Sequence, residues 1–177
     1  MATFPSRTEH QIPSERPEPD SRKVTMLAEW LAKHSVTALR ITLGLVIAGF
    51  GVLKFIPGAS PAEALVIKTT EALTFGAVTG TTAVVLTAVL ETFLGLTLLT
   101  GRGLRVGLVV MAGWLGAIMA PVVLFPGEMF PGGFPTLAAQ YVLKDLILAA
   151  AWAVVAANVL GARLVLARRT AHRRVGS

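Results

Sequence analysis

The chain has 177 residues, of which 54% are hydrophobic and only 15% are charged, and its mean hydropathy is +0.69. A soluble domain carries about 25% charged residues, and a soluble chain of this length cannot bury so much apolar surface. The composition therefore indicates an integral membrane protein, because lipid tails solvate apolar side chains.

The residue inventory excludes most self-contained electron-transfer chemistry. The chain contains no cysteine, which rules out disulfides, thiolate metal sites and iron–sulfur clusters within it. The three histidines, His10, His34 and His172, lie outside the apolar segments, which argues against a haem held between helices. We therefore predict no metal site and no cofactor that the chain's own side chains hold covalently or by ligation.

The N-terminal part of the chain divides into two segments. Residues 1–23 are rich in proline and mixed charge, a composition typical of a disordered tail. Residues 24–34 predict a short interfacial helix, because one helical face carries Leu27, Trp30, Leu31 and His34. An amphipathic turn packed against the rest of the protein is the alternative interpretation.

Four apolar stretches follow, each of about 18–24 residues, and about 20 residues are needed for a helix to cross a bilayer. They cover about residues 36–56, 83–100, 104–125 and 137–160. Pro57 ends the first, residues 101–103 form a tight turn, and three prolines prevent helix in the third connection, at positions 126, 131 and 135. We predict an all-α fold, an integral membrane four-helix bundle over residues 24–160 with short interfacial amphipathic helices.

The positive charges predict the orientation of this bundle. They cluster in the N-terminal segment, in the second connection with Arg102 and Arg105, and in the basic tail of residues 161–177. The first connection has only Lys68 and the third has none. Because Lys and Arg concentrate in cytoplasmic segments, both termini are predicted to be cytoplasmic. The tail is expected to contact anionic lipid headgroups rather than nucleic acid.

The first connection is predicted to contain an amphipathic helix. Ser60, Pro61 and Glu63 have the spacing of an N-cap, a first helical position and a capping glutamate. The residues that follow share an apolar face: Leu65, Val66, Thr69, Ala72 and Leu73. This helix would lie on the outer surface or cap the bundle.

Glu91 is the most informative residue, because it lies in the middle of the second apolar stretch, roughly 13 Å from the cytoplasmic end at about 1.5 Å per residue. A carboxyl at that depth must face the interior, be protonated or be paired. Arg40 has a side chain long enough to reach toward it, and Trp114 and Trp152 lie at a similar depth as candidate N–H donors. These four residues form a candidate intramembrane polar site, either a structural clasp between helices or a ligand or proton site.

Three further charges lie near the outer ends of the first and fourth stretches: Lys54, Lys144 and Asp145. Adjacent residues on a helix point about 100° apart, so Lys144 and Asp145 cannot face one point. We predict that Lys54 pairs with Asp145 and that Lys144 snorkels outward. Two snorkelling lysines without an ion pair are the alternative.

An ordered series of motifs over about residues 36–160 resembles the DoxX superfamily, closest to its YkgB-like branch. The series comprises RITLG at 40–44, FGVLKF at 50–55, LTFG at 73–76, Glu91 with Gly95, LLTG at 98–101, LFP at 124–126 and QYVLKDL at 140–146. In that branch an amide follows the lysine, where this chain has Asp145.

The resemblance implies a four-helix protein of the bacterial inner membrane. Relatives are linked with respiratory or oxidative-stress functions, and one branch provides a membrane subunit of a thiosulfate:quinone oxidoreductase. The resemblance assigns no catalytic residue and implies a non-catalytic membrane subunit or quinone-proximal component, with Glu91 and Arg40 lining the site. Any electrons would then belong to a bound quinone or to an oxidoreductase partner.

Two further alternatives remain open from the sequence. A small proton-coupled permease or efflux component would use Glu91 as its titrating carboxyl, and a polar path open to one side of the membrane would distinguish it. Gly44 and Ala48 have the small-residue spacing of close helix contacts, which indicates either a homo-oligomer or close packing within one chain.

Overall fold

The computed structural model describes residues 19–164, and within that range the secondary structure is helical with no strand. The helices are α1 (Pro19–Leu53), α2 (Glu63–Leu73), α3 (Gly80–Thr100), α4 (Leu104–Leu124), α5 (Pro126–Met129), α6 (Leu137–Lys144) and α7 (Leu146–Val159). A single 3-10 turn covers Pro131–Gly133. The predictions for the two tails fall largely on residues 1–18 and 165–177, which lie outside the described residues.

Four helical segments are long and apolar enough to cross a membrane: α1, α3, α4, and α6 with α7 as one span. They pack in a ring, α1 on α3, α3 on α4, α4 on α7, and α7 on α1. The expectation of an all-α fold with four helical spans is therefore confirmed for the described part of the chain. We call the end at residues 101–103 the turn end and the end covered by α2 the cap end.

The separate interfacial helix expected at residues 24–34 does not exist as its own element. It is the first part of α1, which runs for 35 residues without interruption. No glycine or proline separates Val24 from Val36, so nothing stops the helix from propagating between them. At about 1.5 Å per residue α1 is about 52 Å long, and its Leu27 and Trp30 side chains are exposed.

Small residues set the contact between α1 and α3. A Cβ added to Gly95 would lie 2.5 Å from Ala48 Cβ, and one added to Gly44 would lie 3.0 Å from the Gly95 carbonyl oxygen. Real side chains cannot approach so closely, so these glycines let the two backbones meet. The spacing of Gly44 and Ala48 thus serves packing within one chain.

One expectation about helix breaks was wrong. The third connection is not free of helix, because Pro126 occupies the first turn of α5 and Pro131 opens the 3-10 turn; proline is compatible with that position since its missing N–H has no partner there. The fourth span runs from Leu137 to Val159, close to the predicted bounds, with a one-residue interruption at Asp145, whose backbone stays in the right-handed helical region. The Thr136 hydroxyl caps α6 by accepting the Ala139 N–H at 3.2 Å.

The predicted amphipathic helix is present as α2, but its start differs from the expected capping motif. Ala62 occupies the N-cap position and provides no side-chain cap. The Ser60 carbonyl oxygen instead accepts the Glu63 N–H at 3.2 Å, and the Glu63 carboxylate accepts the Gly58 N–H at 3.0 Å. Because α2 packs on α3 and α4, it covers the bundle rather than standing away from it.

Candidate functional site

A buried ion pair joins α3 to the chain just after α1. The Lys54 Nζ lies 2.6 Å from the Glu91 Oε2, and their side chains are only 5% and 4% exposed. The absence of a side chain at Gly51 brings the helices together there, since a Cβ at that position would lie 2.9 Å from Glu91 Cβ. The close approach of α1 and α3 therefore places the ammonium directly on the carboxylate.

This pairing differs from the expected Lys54–Asp145 contact. Asp145 lies at the junction of α6 and α7 and is half-buried. Its carboxylate interacts electrostatically with the positive charges of Lys144 and Lys54, but it makes no direct ion pair or hydrogen bond within residues 19–164. Lys144 is exposed, and its ammonium lies 4.5 Å from the centroid of the Tyr141 ring.

Arg40 does not reach toward Glu91. Its Nη1 donates to the Leu98 carbonyl oxygen at 2.5 Å, at the turn end of the bundle. The last carbonyls of a helix have no partner within the helix, so α3 offers Arg40 an acceptor nearby. Glu91 is seven residues further along, about 10 Å at about 1.5 Å per residue. Arg40 thus ties α1 to the end of α3.

The two tryptophans of the expected site behave differently. Trp152 Nε1 donates to the Leu108 carbonyl oxygen at 2.9 Å, which ties α7 to α4. Trp114 is 8% exposed, and its indole N–H acts on the Glu91 carboxylate as a weak donor, although the contact falls short of full hydrogen-bond geometry. Of the four expected site residues, the structure therefore brings together Glu91 and Trp114.

A cavity of about 620 Å³ opens beside the ion pair, in the cap-end half of the bundle. All four spans and α2 contribute to its wall, and most of the lining side chains are apolar. The polar lining includes Lys54, Glu91, Asp145 and Thr69. The site is thus an apolar chamber with a charge pair in its wall.

Two polar atoms in this wall make no hydrogen bond of full geometry. Thr69 Oγ1 and Trp114 Nε1 are the buried side-chain polar atoms without such a bond in residues 19–164, and both residues line the cavity. Leaving a buried polar group unsatisfied costs about 1–3 kcal/mol. Both residues line the same cavity, so a polar occupant that accepted hydrogen bonds there would satisfy them.

Sequence reasoning did not identify Lys54 as the partner of Glu91 or Thr69 as a site residue. The signal for the ion pair was the small-residue register between α1 and α3. Ala48 lies against Gly95, so in an antiparallel pair Lys54 falls opposite residue 89, close to Glu91. Thr69 was expected on the apolar face of α2, and that face is the one that lines the cavity.

Comparisons with protein-family models, with curated proteins and with solved structures gave no match. Within residues 19–164 no group of three or more His, Asp or Glu side chains is arranged to hold a metal ion. The chemistry of the site is therefore inferred from its own geometry: hydrogen-bond donors and one neutralised charge pair around an apolar space.

Proposed function

We propose that the protein is a multi-pass protein of the bacterial cytoplasmic membrane that holds a membrane-soluble quinone in this cavity. It would act as a DoxX-like, non-catalytic membrane subunit or quinone-proximal component in redox or oxidative-stress physiology. The observation that carries the proposal is an apolar cavity whose wall holds a buried ion pair, the unbonded hydroxyl of Thr69 and the weakly engaged indole N–H of Trp114.

The donor set suits a quinone head group. A quinone is a flat apolar ring with two carbonyl oxygens that accept hydrogen bonds. Its head group has no hydrogen-bond donor. The hydroxyl of Thr69, the indole N–H of Trp114 and the ammonium of Lys54 are all donors. Because Glu91 already neutralises Lys54, a neutral ligand fits better than an anion. The volume of about 620 Å³ falls within the usual range for ligand sites, about 300–1,000 Å³.

The chain supplies binding groups but no redox centre of its own. Cysteine is absent from the sequence, so electrons would pass between the quinone and an oxidoreductase partner. The protein would then bind and orient the quinone ring, while the partner carries the reaction. A homo-oligomer would provide the same site in each copy.

The membrane placement rests on the four apolar spans and on their exposed surfaces. Large apolar side chains face outward at span depth, among them Leu45, Val89 and Val109, which lipid would cover. The asymmetry of Lys and Arg supports cytoplasmic termini and a cytoplasmic turn end. Anionic headgroups would meet the basic residues of the C-terminal tail.

A proton-coupled permease receives less support from the geometry. A permease would have a polar path from Glu91 to one side of the membrane, but the bundle between Glu91 and the turn end is filled by packed apolar residues, which include Leu43, Leu94, Leu98, Met111 and Val155, and α2 covers the cavity at the cap end. Glu91 is also committed to Lys54 at 2.6 Å. The cavity therefore favours binding over passage.

Fluorescence of Trp114 gives a direct test. The chain has three tryptophans, so Trp30→Phe and Trp152→Phe leave Trp114 as the only reporter. The protein in nanodiscs is titrated with a ubiquinone analogue that carries one isoprene unit. We expect saturable quenching, because a ring in the cavity contacts the indole.

A paired substitution tests the role of the site. Lys54→Met with Glu91→Leu removes both charges together, so no lone charge stays buried, and should weaken quinone binding at least tenfold. Lys68→Gln with Glu128→Gln removes an exposed ion pair, 45% and 63% exposed, and should leave binding unchanged. Quenching that rises linearly with quinone and is equal in all variants would show collisions in the bilayer rather than binding and would contradict the proposal.

A further inference from the structure

We infer that the cavity exchanges its occupant with the lipid phase through a side opening between α1 and α6, and that it admits membrane-dissolved amphiphiles with an apolar chain. The inference rests on the proposed function only in its choice of a quinone as one such amphiphile. The side opening is defined by Phe50 on α1 and by Tyr141 and Ile147 on α6 and α7.

The cap end of the cavity is closed by α2. The apolar face of α2 lines the cavity through Leu65, Val66 and Leu73. The Lys68 ammonium on the other face lies 2.5 Å from both carboxylate oxygens of Glu128 on α5 and 4.5 Å from the centroid of the Phe125 ring. The packing of α2 on α3 and α4 places it over the cavity, so the direct route from the water beyond the cap end is covered.

The wall between α1 and α6 is the weak side of the chamber. In the turn-end half α7 packs against α1, whereas α6 packs against α4 and makes little contact with α1. The change of partner occurs at Asp145, where the fourth span is interrupted. The sparse contact between α1 and α6 leaves this side of the cavity less covered, near Lys54 and Asp145.

The side chains at this gap face both the cavity and the surroundings. Phe50, Tyr141 and Ile147 line the cavity, yet they are 44%, 47% and 69% exposed. A residue that lines a cavity and is also exposed marks an opening. All three lie on spans that would be in the bilayer, so the opening would meet acyl chains rather than water. By the same criterion Leu86 on α3 and Leu73 on α2, which are 53% and 44% exposed and line the cavity, mark further routes for comparison.

The polarity of the chamber orients an amphiphile that enters this way. The ion pair, the unbonded hydroxyl of Thr69 and the weakly engaged indole N–H of Trp114 lie inside, and the side chains that define the side opening are aromatic and aliphatic. A head group with carbonyl acceptors would meet the donors, and the apolar chain would pass between Phe50 and Ile147. An amphiphile of this kind stays in lipid for its whole path.

The absence of cysteine from the chain permits a test in which the same protein is compared before and after the opening is blocked. Ile147→Cys is prepared with Trp114 as the only tryptophan, labelled in detergent with N-cyclohexylmaleimide and returned to nanodiscs. The matched control is Val109→Cys, because Val109 is 75% exposed on α4 and does not line the cavity. Leu86→Cys reports on the route at α3.

Two probes are used, lipid with brominated acyl chains and the one-isoprene quinone. Labelling at Ile147→Cys should reduce the quenching of Trp114 by brominated lipid at least twofold. It should also slow quinone association and dissociation at least tenfold, with little change in Kd. Labelling at Val109→Cys should change neither signal.

Two results would overturn the inference. They are an unchanged signal for labelled Ile147→Cys with both probes, or slowing confined to labelled Leu86→Cys. The two claims fail separately. If labelling at Ile147→Cys reduced quenching by brominated lipid but the protein bound no quinone, the side opening would be supported and the quinone proposal would be refuted.

Discussion

The Lys54–Glu91 ion pair should show a large coupling energy in a double-mutant cycle. Lys54→Met or Glu91→Leu alone leaves the other charge at a position where the side chains are only 5% and 4% exposed. Removing one partner of a buried pair costs about 3–5 kcal/mol, whereas replacing both with apolar residues of similar volume is often neutral. We therefore expect two unstable single variants and a double variant within about 1 kcal/mol of the natural protein.

The free energy of unfolding is measured by SDS titration in mixed micelles, followed by helical circular dichroism. The Lys68–Glu128 pair provides a control cycle, because its side chains are 45% and 63% exposed and such pairs contribute about 0–1 kcal/mol. Glu91→Gln should be intermediate, since the amide oxygen still accepts from Lys54 but carries no charge. If the coupling energy of the buried pair did not exceed that of the control pair, Lys54 and Glu91 would not be a charged pair in the folded protein.

Two other predictions concern packing and topology. Gly95→Ala should destabilise the protein by about 1–3 kcal/mol, because the new Cβ would lie 2.5 Å from Ala48 Cβ; Gly49→Ala, with no atom within 4 Å of the new Cβ, is the control and should be neutral or slightly stabilising in the same unfolding assay. Reporter fusions after Gly101 should be active only as cytoplasmic reporters and fusions after Gly133 only as external ones, because the second connection carries Arg102 while the third carries no basic residue. A cytoplasmic signal after Gly133 would contradict the proposed orientation.

The helices themselves were largely predictable from the sequence, because their signals are local. The lengths of the apolar stretches and the turn at residues 101–103 predicted the ends of α3 and α4 to within a few residues. The face formed by Leu65, Val66 and Thr69 gave α2. In contrast, the sequence analysis divided α1 into two helices. The change from an amphipathic to an apolar pattern reports a change in what surrounds the helix, from interface to lipid, and does not report a break in the backbone.

The site was not predictable to the same degree, because it depends on the register between helices. Periodicity places Lys54 and Glu91 on separate helices but does not say which residues lie opposite each other. The contact of Gly51 with Glu91 and of Gly95 with Ala48 fixes that register. The interruption at Asp145 was missed for a different reason. The surrounding sequence, YVLKDLIL at 141–148, contains neither glycine nor proline to signal it.

The two halves of the bundle have different physical roles. Toward the turn end, glycines let the helix backbones approach closely and packed apolar side chains fill the remaining space. Arg40 links α1 to the end of α3 by a hydrogen bond. Toward the cap end, the same helices surround a partly open cavity of about 620 Å³, and the polar atoms of Thr69 and Trp114 in its wall make no hydrogen bond of full geometry. A bundle selected for stability alone would fill that volume and pair those atoms, since voids and unsatisfied donors both cost free energy. The packed half supplies the stability that lets the open half persist, and the open half is where selection for binding would act.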